Sequence, residues 1–351
     1  MHDSDTEDRR ALLLSLTNAS WTTQAIHAAC ALNLPDLLGA GTRTLAALAG
    51  ATGCHAPSLN RLLRALVTLD LCIERDNAEF ELSPLGALLR DDAPQSLRAW
   101  ALLVGGVHWE RWGELEQSVR TGASHRLRHG GQDGFDHLQT DPAAAALFNR
   151  AMIEVTRRVA ADVVRSIDFG RSRLFVDVGG GSGELLATVL AAHPAARGVL
   201  FDLPHAIDAA DTVLGPSGVA DRCERVAGSF FEAVPAGGDT YLLKSVLHNW
   251  DDERCVQLLR RCRHAMAPQA RLIVVERIVP ERLSASASDR AVARSDLNML
   301  VALSGRERTV AQFGALFDAA GLALKRITPT PGEFQVLEVL AREDGSQGAR
   351  Q

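Results

Sequence analysis

The sequence predicts an α/β chain: a doubly wound, mainly parallel sheet closed by an antiparallel C-terminal hairpin, preceded by a mainly helical N-terminal domain of winged-helix pattern. Three observations carry this. From residue 173 onward, apolar strand-like runs alternate with helical patterns. A glycine-rich turn, Gly179-Gly-Gly-Ser-Gly183, joins the first such run to the first helix. Near the end, Leu322–Thr328 and Phe334–Leu340 are separated only by a short Pro- and Gly-containing link. A link that short permits an antiparallel hairpin and rules out a parallel crossover.

The length of 351 residues suits about two domains. A net charge of -6 argues against nucleic-acid and anionic-membrane partners. No stretch reads as a signal peptide or a membrane span. The six cysteines show neither C-x-x-C nor metal-ligand spacing and read as reduced thiols of a cytoplasmic protein, with no metal expected.

Taken in order, residues 9–32 form a helix with a broad apolar face that something must cover. Residues 44–73 hold short helices broken at Gly50 and Gly53, and Cys72-Ile73 and Phe80–Leu82 flank a turn at Asp76-Asn77. Helix, turn, helix and hairpin make the winged-helix pattern. Arg61 and Arg64 on the second helix leave DNA binding open, but little basic charge surrounds them, and a structural or dimerisation role is favoured. Residues 94–120 are helical and aromatic-rich, including Trp109, and 122–134 is a Gly/His/Arg-rich loop. Asp141-Pro142 caps and opens a helix reaching about Ile167. Phe148, Met152 and Val155 share one of its faces, either as core or as the wall of an aromatic-ligand pocket.

Strands are then expected at 173–178, 197–202, 222–228, 239–247 and 270–276, and helices at 182–192, 205–214, 251–266 and 309–320. The glycines at 179, 181 and 183 depart from the dinucleotide fingerprint, whose third glycine would fall on Glu184. Asp177, just before them, would repel a pyrophosphate but suits the ammonium of S-adenosylmethionine (SAM). Asp202 lies 21 residues beyond Gly181, where a ribose-binding carboxylate belongs.

Sheets of this kind bind ligands at the carboxyl ends of their strands. Ser229 and Phe230 follow the third strand, and suit an adenine by hydrogen bond and stacking, or form a plain loop with a buried ring. Lys244 interrupts an apolar strand and calls for a cofactor group or a carboxylate as partner. His248 ends that strand at the binding edge, where a catalytic reading competes with a structural one. Asp251-Asp252-Glu253 opens a helix and reads as capping ahead of a metal cluster. Glu276 ends the fifth strand, where it can orient an imidazole; Glu307, taken alone, reads as a surface charge.

The chain resembles the plant-type O-methyltransferases of the caffeic-acid and isoflavone kind, and their bacterial relatives that tailor polyketides and phenazines. The motifs are Val176-Asp-Val-Gly-Gly-Gly-Ser-Gly183, Phe201-Asp-Leu-Pro204, Gly228-Ser-Phe-Phe231, Leu243-Lys-Ser-Val-Leu-His-Asn-Trp-Asp-Asp252, Val275-Glu276 and Gly305-Arg-Glu-Arg-Thr309. The likeness extends to the N-terminal region. It implies a winged-helix dimerisation domain over 1–95, a helical linker lining the substrate cleft over 96–168, and a SAM-methyltransferase domain with a Rossmann-like sheet over 169–345.

The resemblance also implies His248 as general base, flanked by Glu276 and Glu307. Cofactor contacts would fall at Asp177, Gly179, Gly181, Asp202, Leu203, Ser229, Phe230 and Lys244. The substrate wall would include Trp109, Phe148, Met152 and Met299. Ser229 departs from the Asp of many plant members, and the 122–134 loop matches nothing in the family pattern. The implied activity is SAM-dependent O-methylation of an aromatic small molecule, without a metal, by a homodimer. A SAM-binding relative that decarboxylates or hydroxylates, an N-methyltransferase, and a winged-helix regulator that senses a ligand are the alternatives.

Overall fold

The structure, a computed structural model, describes residues 2–342. Residue 1 and residues 343–345 of the expected domains lie outside them. The chain divides into two compact units, one ending at Glu110 and the other beginning at Arg111. The stretch expected as a linker is therefore shared, 96–110 going to the first unit and 111–168 to the second.

The N-terminal unit opens with a long helix, His2–Ala31. Its first two-thirds carry Leu12, Leu13, Leu14, Leu16 and Trp21, all more than half exposed, while Ala29 and Cys30 are buried. After a short helix, Leu34–Gly39, two more follow, Leu45–Thr52 and Ala56–Thr68, the first of these two capped by the Thr44 hydroxyl. Leu59, Leu63 and Leu66 recur on the inner face of the second and are buried. Strands β1 (Arg43–Thr44), β2 (Cys72–Arg75) and β3 (Glu79–Leu82) form a small antiparallel sheet in the order β1-β3-β2. Asn77 and Ala78, both at positive φ, make the β2–β3 turn. On the second helix Arg64 is paired with Glu74 of the hairpin, which neutralises one of the two arginines left open for DNA.

The C-terminal unit holds a seven-stranded sheet in the order β6-β5-β4-β7-β8-β10-β9. Its strands are β4 (Leu174–Val178), β5 (Arg197–Asp202), β6 (Cys223–Ala227), β7 (Thr240–Lys244), β8 (Arg271–Glu276), β9 (Leu322–Pro329) and β10 (Gln335–Ala341). β4 to β8 pair in parallel, and β10 runs antiparallel between β8 and β9. Both faces of the central strands are covered, so Phe175, Val176, Leu242, Leu243, Ile273 and Val274 are all fully buried. The order of strand addition reverses at β4, with β5 and β6 laid down on one side of it and β7 and β8 on the other. Open sheets of this type place their ligand crevice at that switch point, and it lies here beside the glycine turn.

Three elements differ from expectation. The strand expected over 239–247 ends at Lys244, where Ser245 at positive φ breaks it, so His248 does not end the strand. The helix expected over 205–214 is two single turns, Pro204–Ile207 and Asp211–Leu214. A helix not expected at all runs over Ala287–Leu303, capped by Ser286. Its small and charged residues carry little apolar periodicity, so nothing in the sequence marked it. The helix Pro142–Ser166 is capped by Asp141, whose side chain accepts from Ala144 N–H. Among the described residues all cysteines are free thiols, and no helix is long and apolar enough to cross a membrane.

Candidate active site

The glycine turn is tied down before any ligand enters. Gly179 N–H donates to Phe201 O at 2.8 Å, locking the end of β4 to β5. Gly179 and Gly181 have φ of +67° and +61°, the left-handed region that side-chain-bearing residues avoid. A Cβ at Gly181 would meet no atom within 4 Å, so this backbone faces open space. At the end of β5, Asp202 accepts Gly181 N–H at 2.7 Å and Leu203 N–H at 2.6 Å. Burial pushes its carboxyl upward while these two donors hold it back. Each oxygen keeps a second lone pair for a hydroxyl.

Asp177 is buried beneath the turn, and its Oδ2 has no hydrogen-bond partner. Burial and then the neighbouring Asp202 push its carboxyl up to about 7, against the pull of Lys244. Lys244 itself is half-buried and donates to Thr156 Oγ1 at 2.9 Å, across to the helix 142–166. Burial lowers its ammonium to about 8, with Arg277 acting in the same direction. Ser229 Oγ accepts Phe231 N–H, so it caps its own turn. The Phe230 ring lies against Gly179, where an added Cβ would stand 3.3 Å from it.

The second cluster is built on the end of β7 and β8. His248 sits in a single 3-10 turn, Leu247–Asn249, and is buried. Its Nδ1 lies 3.0 Å from Glu307 Oε1 and 3.6 Å from Glu276 Oε2. Glu276 is fully buried, and its Oε1 accepts the backbone N–H groups of Val246, Leu247 and His248 at 3.0, 2.9 and 3.4 Å. Glu307 Oε1 also accepts the Ser295 hydroxyl at 2.6 Å. Burial opposes a charged imidazole, but Glu276 and Glu307 outweigh it and raise the His248 pKa above the ordinary imidazole value. Burial raises Glu276; His248 and Ser295 hold Glu307 below the usual carboxylate range although burial works the other way.

Three residues that sequence reasoning gave no role hold this turn in place. Arg308 is fully buried and donates to Leu247 O at 2.8 Å, Trp250 O at 2.7 Å and the Asp252 carboxylate. Asp252 therefore serves this arginine, while Asp251 caps the following helix through Arg254 N–H. Gly305 passes so close that an added Cβ would stand 2.2 Å from His248 O. Ser295 comes from the unexpected helix. The repeated charges of Arg306-Glu-Arg308 were the available signal, since they read as a solvated turn until Asp252 is seen to face them.

The candidate substrate wall is only partly a unit. Phe148 packs on Phe135, with centroids 5.5 Å apart; Phe135 meets Trp250 edge-on at 6.4 Å, and Trp250 meets Phe230 at 6.1 Å. An aromatic series thus runs from Phe148 to the glycine turn. Phe135 and Trp250 were not singled out from the sequence. Met152 is half-buried one turn beyond Phe148, and Met299 is buried on the helix 287–303. Trp109 belongs to the N-terminal unit and is 40% exposed. In the 122–134 segment, His129 and Arg128 both bond the Glu114 carboxylate, pinning that loop to the preceding helix.

Residues 112–323 match the family described as the O-methyltransferase domain, and residues 14–92 match the O-methyltransferase dimerisation domain. The phenazine O-methyltransferase PhzM of Lysobacter antibioticus is 37% identical over 340 residues, 95% of this chain and 98% of that protein. The crystal structure of LaPhzM superposes with a TM-score of 0.90 at 37% identity, covering 95% of this chain and 99% of that one. NcsB1, an O-methyltransferase of neocarzinostatin biosynthesis solved with SAM and 2-hydroxy-5-methyl naphthoic acid, superposes with a TM-score of 0.75 at 34% identity over 91% of this chain and 96% of its own. The chain belongs to the O-methyltransferase family, enzymes whose methyl donor is SAM.

The residues at the switch point fit that donor. The open backbone at Gly181 admits a close approach, Asp202 has lone pairs for ribose hydroxyls, and the unpartnered Asp177 Oδ2 is an acceptor in need of a cation or N–H.

Proposed function

We propose that the chain transfers a methyl group from SAM to a hydroxyl of an aromatic small molecule of secondary metabolism, with His248 as general base, acting as a cytoplasmic homodimer joined through its N-terminal unit. The observation that carries the chemistry is the 3.0 Å contact between His248 Nδ1 and Glu307 Oε1. An ionised carboxylate only accepts, so Nδ1 carries the hydrogen and the neutral ring keeps its lone pair on Nε2.

Bound against the glycine turn, SAM supplies an electrophilic methyl carbon on a sulfonium. The chain's residues do the rest. Asp202, Leu203, Phe230 and Ser229 would hold the nucleoside, and Asp177, Gly179, Gly181 and Lys244 the amino-acid end. Phe148, Met152 and Met299 would bound the aromatic acceptor, with Phe135 and Trp250 added by the aromatic series. A phenol has a pKa of about 10 and an ordinary imidazole about 6.5. The two glutamates narrow that gap by favouring the charged ring, so the proton passes to Nε2 as the oxygen attacks. Glu307 and Glu276 then face the imidazolium. Substrate orientation supplies the remainder of the acceleration.

The test is product analysis with methyl-labelled SAM and a panel of hydroxylated and amino-substituted phenazines, naphthoates and benzoates. Label on a phenolic oxygen supports the reading. Label on nitrogen alone, or SAM binding with no methyl transfer to any of the panel, replaces it with N-methylation or with a non-methylating role.

A further inference from the structure

The catalytic pair does not end at Glu307. Ser295 Oγ lies 2.6 Å from Glu307 Oε1, the same oxygen that His248 Nδ1 meets, and Arg277 Nη1 lies 3.4 Å from Ser295 Oγ. The direction of this chain is forced. A guanidinium only donates, so the serine oxygen accepts from Arg277; a carboxylate only accepts, so the serine hydrogen goes to Glu307. The Arg277 guanidinium is fixed in turn by Glu333 at 3.1 Å and lies over the Phe334 ring at 4.3 Å.

The geometry points to Ser295 as a positioning residue of the base: its hydroxyl competes with the His248 ring for one oxygen of Glu307 and so limits how tightly that carboxylate holds the imidazole's proton. This rests on the reading of His248 as base. The physical need is clear from the charges. Two buried carboxylates, Glu276 from β8 and Glu307 from the loop before the helix 310–319, face one imidazole. A ring held too firmly as the cation has no lone pair to offer at neutral pH. Arg277, just after β8, opposes the cation through its own charge. From the helix 287–303, Asp296 contributes its carboxylate, which accepts Glu307 N–H at 2.8 Å and fixes the backbone. Arg308 is directed to the carbonyls of Leu247 and Trp250 and to Asp252. Lys244 bonds Thr156. Ser295 is thus the neutral donor that draws electron density from Glu307 at the shared oxygen. The second oxygen, Oε2, is buried with no hydrogen-bond partner, so among the described residues Ser295 and His248 are the side chains that hydrogen-bond to this carboxylate.

The test reads the ring directly and needs no substrate. Full-length protein labelled at histidine Cε1 is loaded with S-adenosylhomocysteine, and the His248 signal is assigned by its loss in His248→Gln. Ser295→Ala is expected to raise the ring's protonation constant three- to tenfold, and Ser295→Thr, which keeps the hydroxyl, to restore the wild-type titration. A Ser295→Ala titration that superimposes on wild type, or moves the other way, overturns the proposal even if that variant is less stable. A merely structural serine would lower the melting temperature and leave the titration in place. Retained methyl transfer in His248→Gln would sink the base assignment while leaving the Ser295 titration readable, so the two fail separately.

Discussion

Glu276 stands 3.6 Å from the His248 ring nitrogen, yet its other oxygen holds the His248 backbone by accepting that residue's own N–H. The two glutamates beside the ring therefore do different work: Glu276 builds the turn that presents the imidazole, and Glu307 holds the ring itself.

From that difference, Glu276→Ala is expected to lower folding stability by at least ~2 kcal/mol, because three buried N–H groups lose their acceptor. Glu307→Gln is expected to leave stability within about 1 kcal/mol and to lower kcat about a hundredfold. Denaturant midpoints and steady-state rates on the two variants check the separation. Equal losses of stability would contradict it.

Cofactor affinity is expected to depend on pH through Asp177. Its carboxyl is raised to about 7 in the free protein, so it is partly protonated at neutral pH. A ligand ammonium favours the ionised form, so binding releases a proton and affinity rises as pH increases through about 7. Calorimetric titration of S-adenosylhomocysteine between about pH 6 and 8 should show this, and Asp177→Asn should abolish the slope and weaken binding about tenfold.

Arg308→Met is expected to cost about 2–3 kcal/mol, since the carbonyls of Leu247 and Trp250 and the Asp252 carboxylate lose a shared donor. The same variant should broaden the His248 resonance. A stability loss below about 0.5 kcal/mol would show that the arginine does not hold this turn.

The exposed leucines of the first helix are expected to be covered by a second copy. Leu13 and Leu16 are 65% and 58% exposed in the single chain. Leu13→Glu with Leu16→Glu should yield a monomer or an aggregating chain by light scattering. A soluble dimer of unchanged mass would place the interface elsewhere.

Much of this molecule was legible because strand period, glycine and strand-terminal charge are local signals. The mainly parallel sheet and the hairpin followed from the alternation from 173 onward and the short link after Thr328, and the glycine turn from its own residues. Glu276 could be read from the end of its strand as able to orient an imidazole, but the pairing of His248 with Glu307 came only through family likeness. Glu307 lies 59 residues from His248, and a carboxylate beside two arginines looks solvated until Arg308 is seen buried. Ser295 was invisible for a related reason: the helix that carries it lacks apolar periodicity, and a serine declares its partner only in three dimensions. Phe135 was hidden just after a Gly/His/Arg-rich stretch whose composition signals loop, although its ring joins Phe148 to Trp250.

The most direct measurement is single-turnover methyl transfer by His248→Ala at saturating SAM, with a phenolic acceptor shown to be turned over by the wild-type protein. The expected result is unchanged S-adenosylhomocysteine affinity and a rate reduced at least ~100-fold, with the rise of rate with pH now following ionisation of the phenol instead of the imidazole. A rate within about threefold of wild type, with the same pH profile, would contradict His248 as the base.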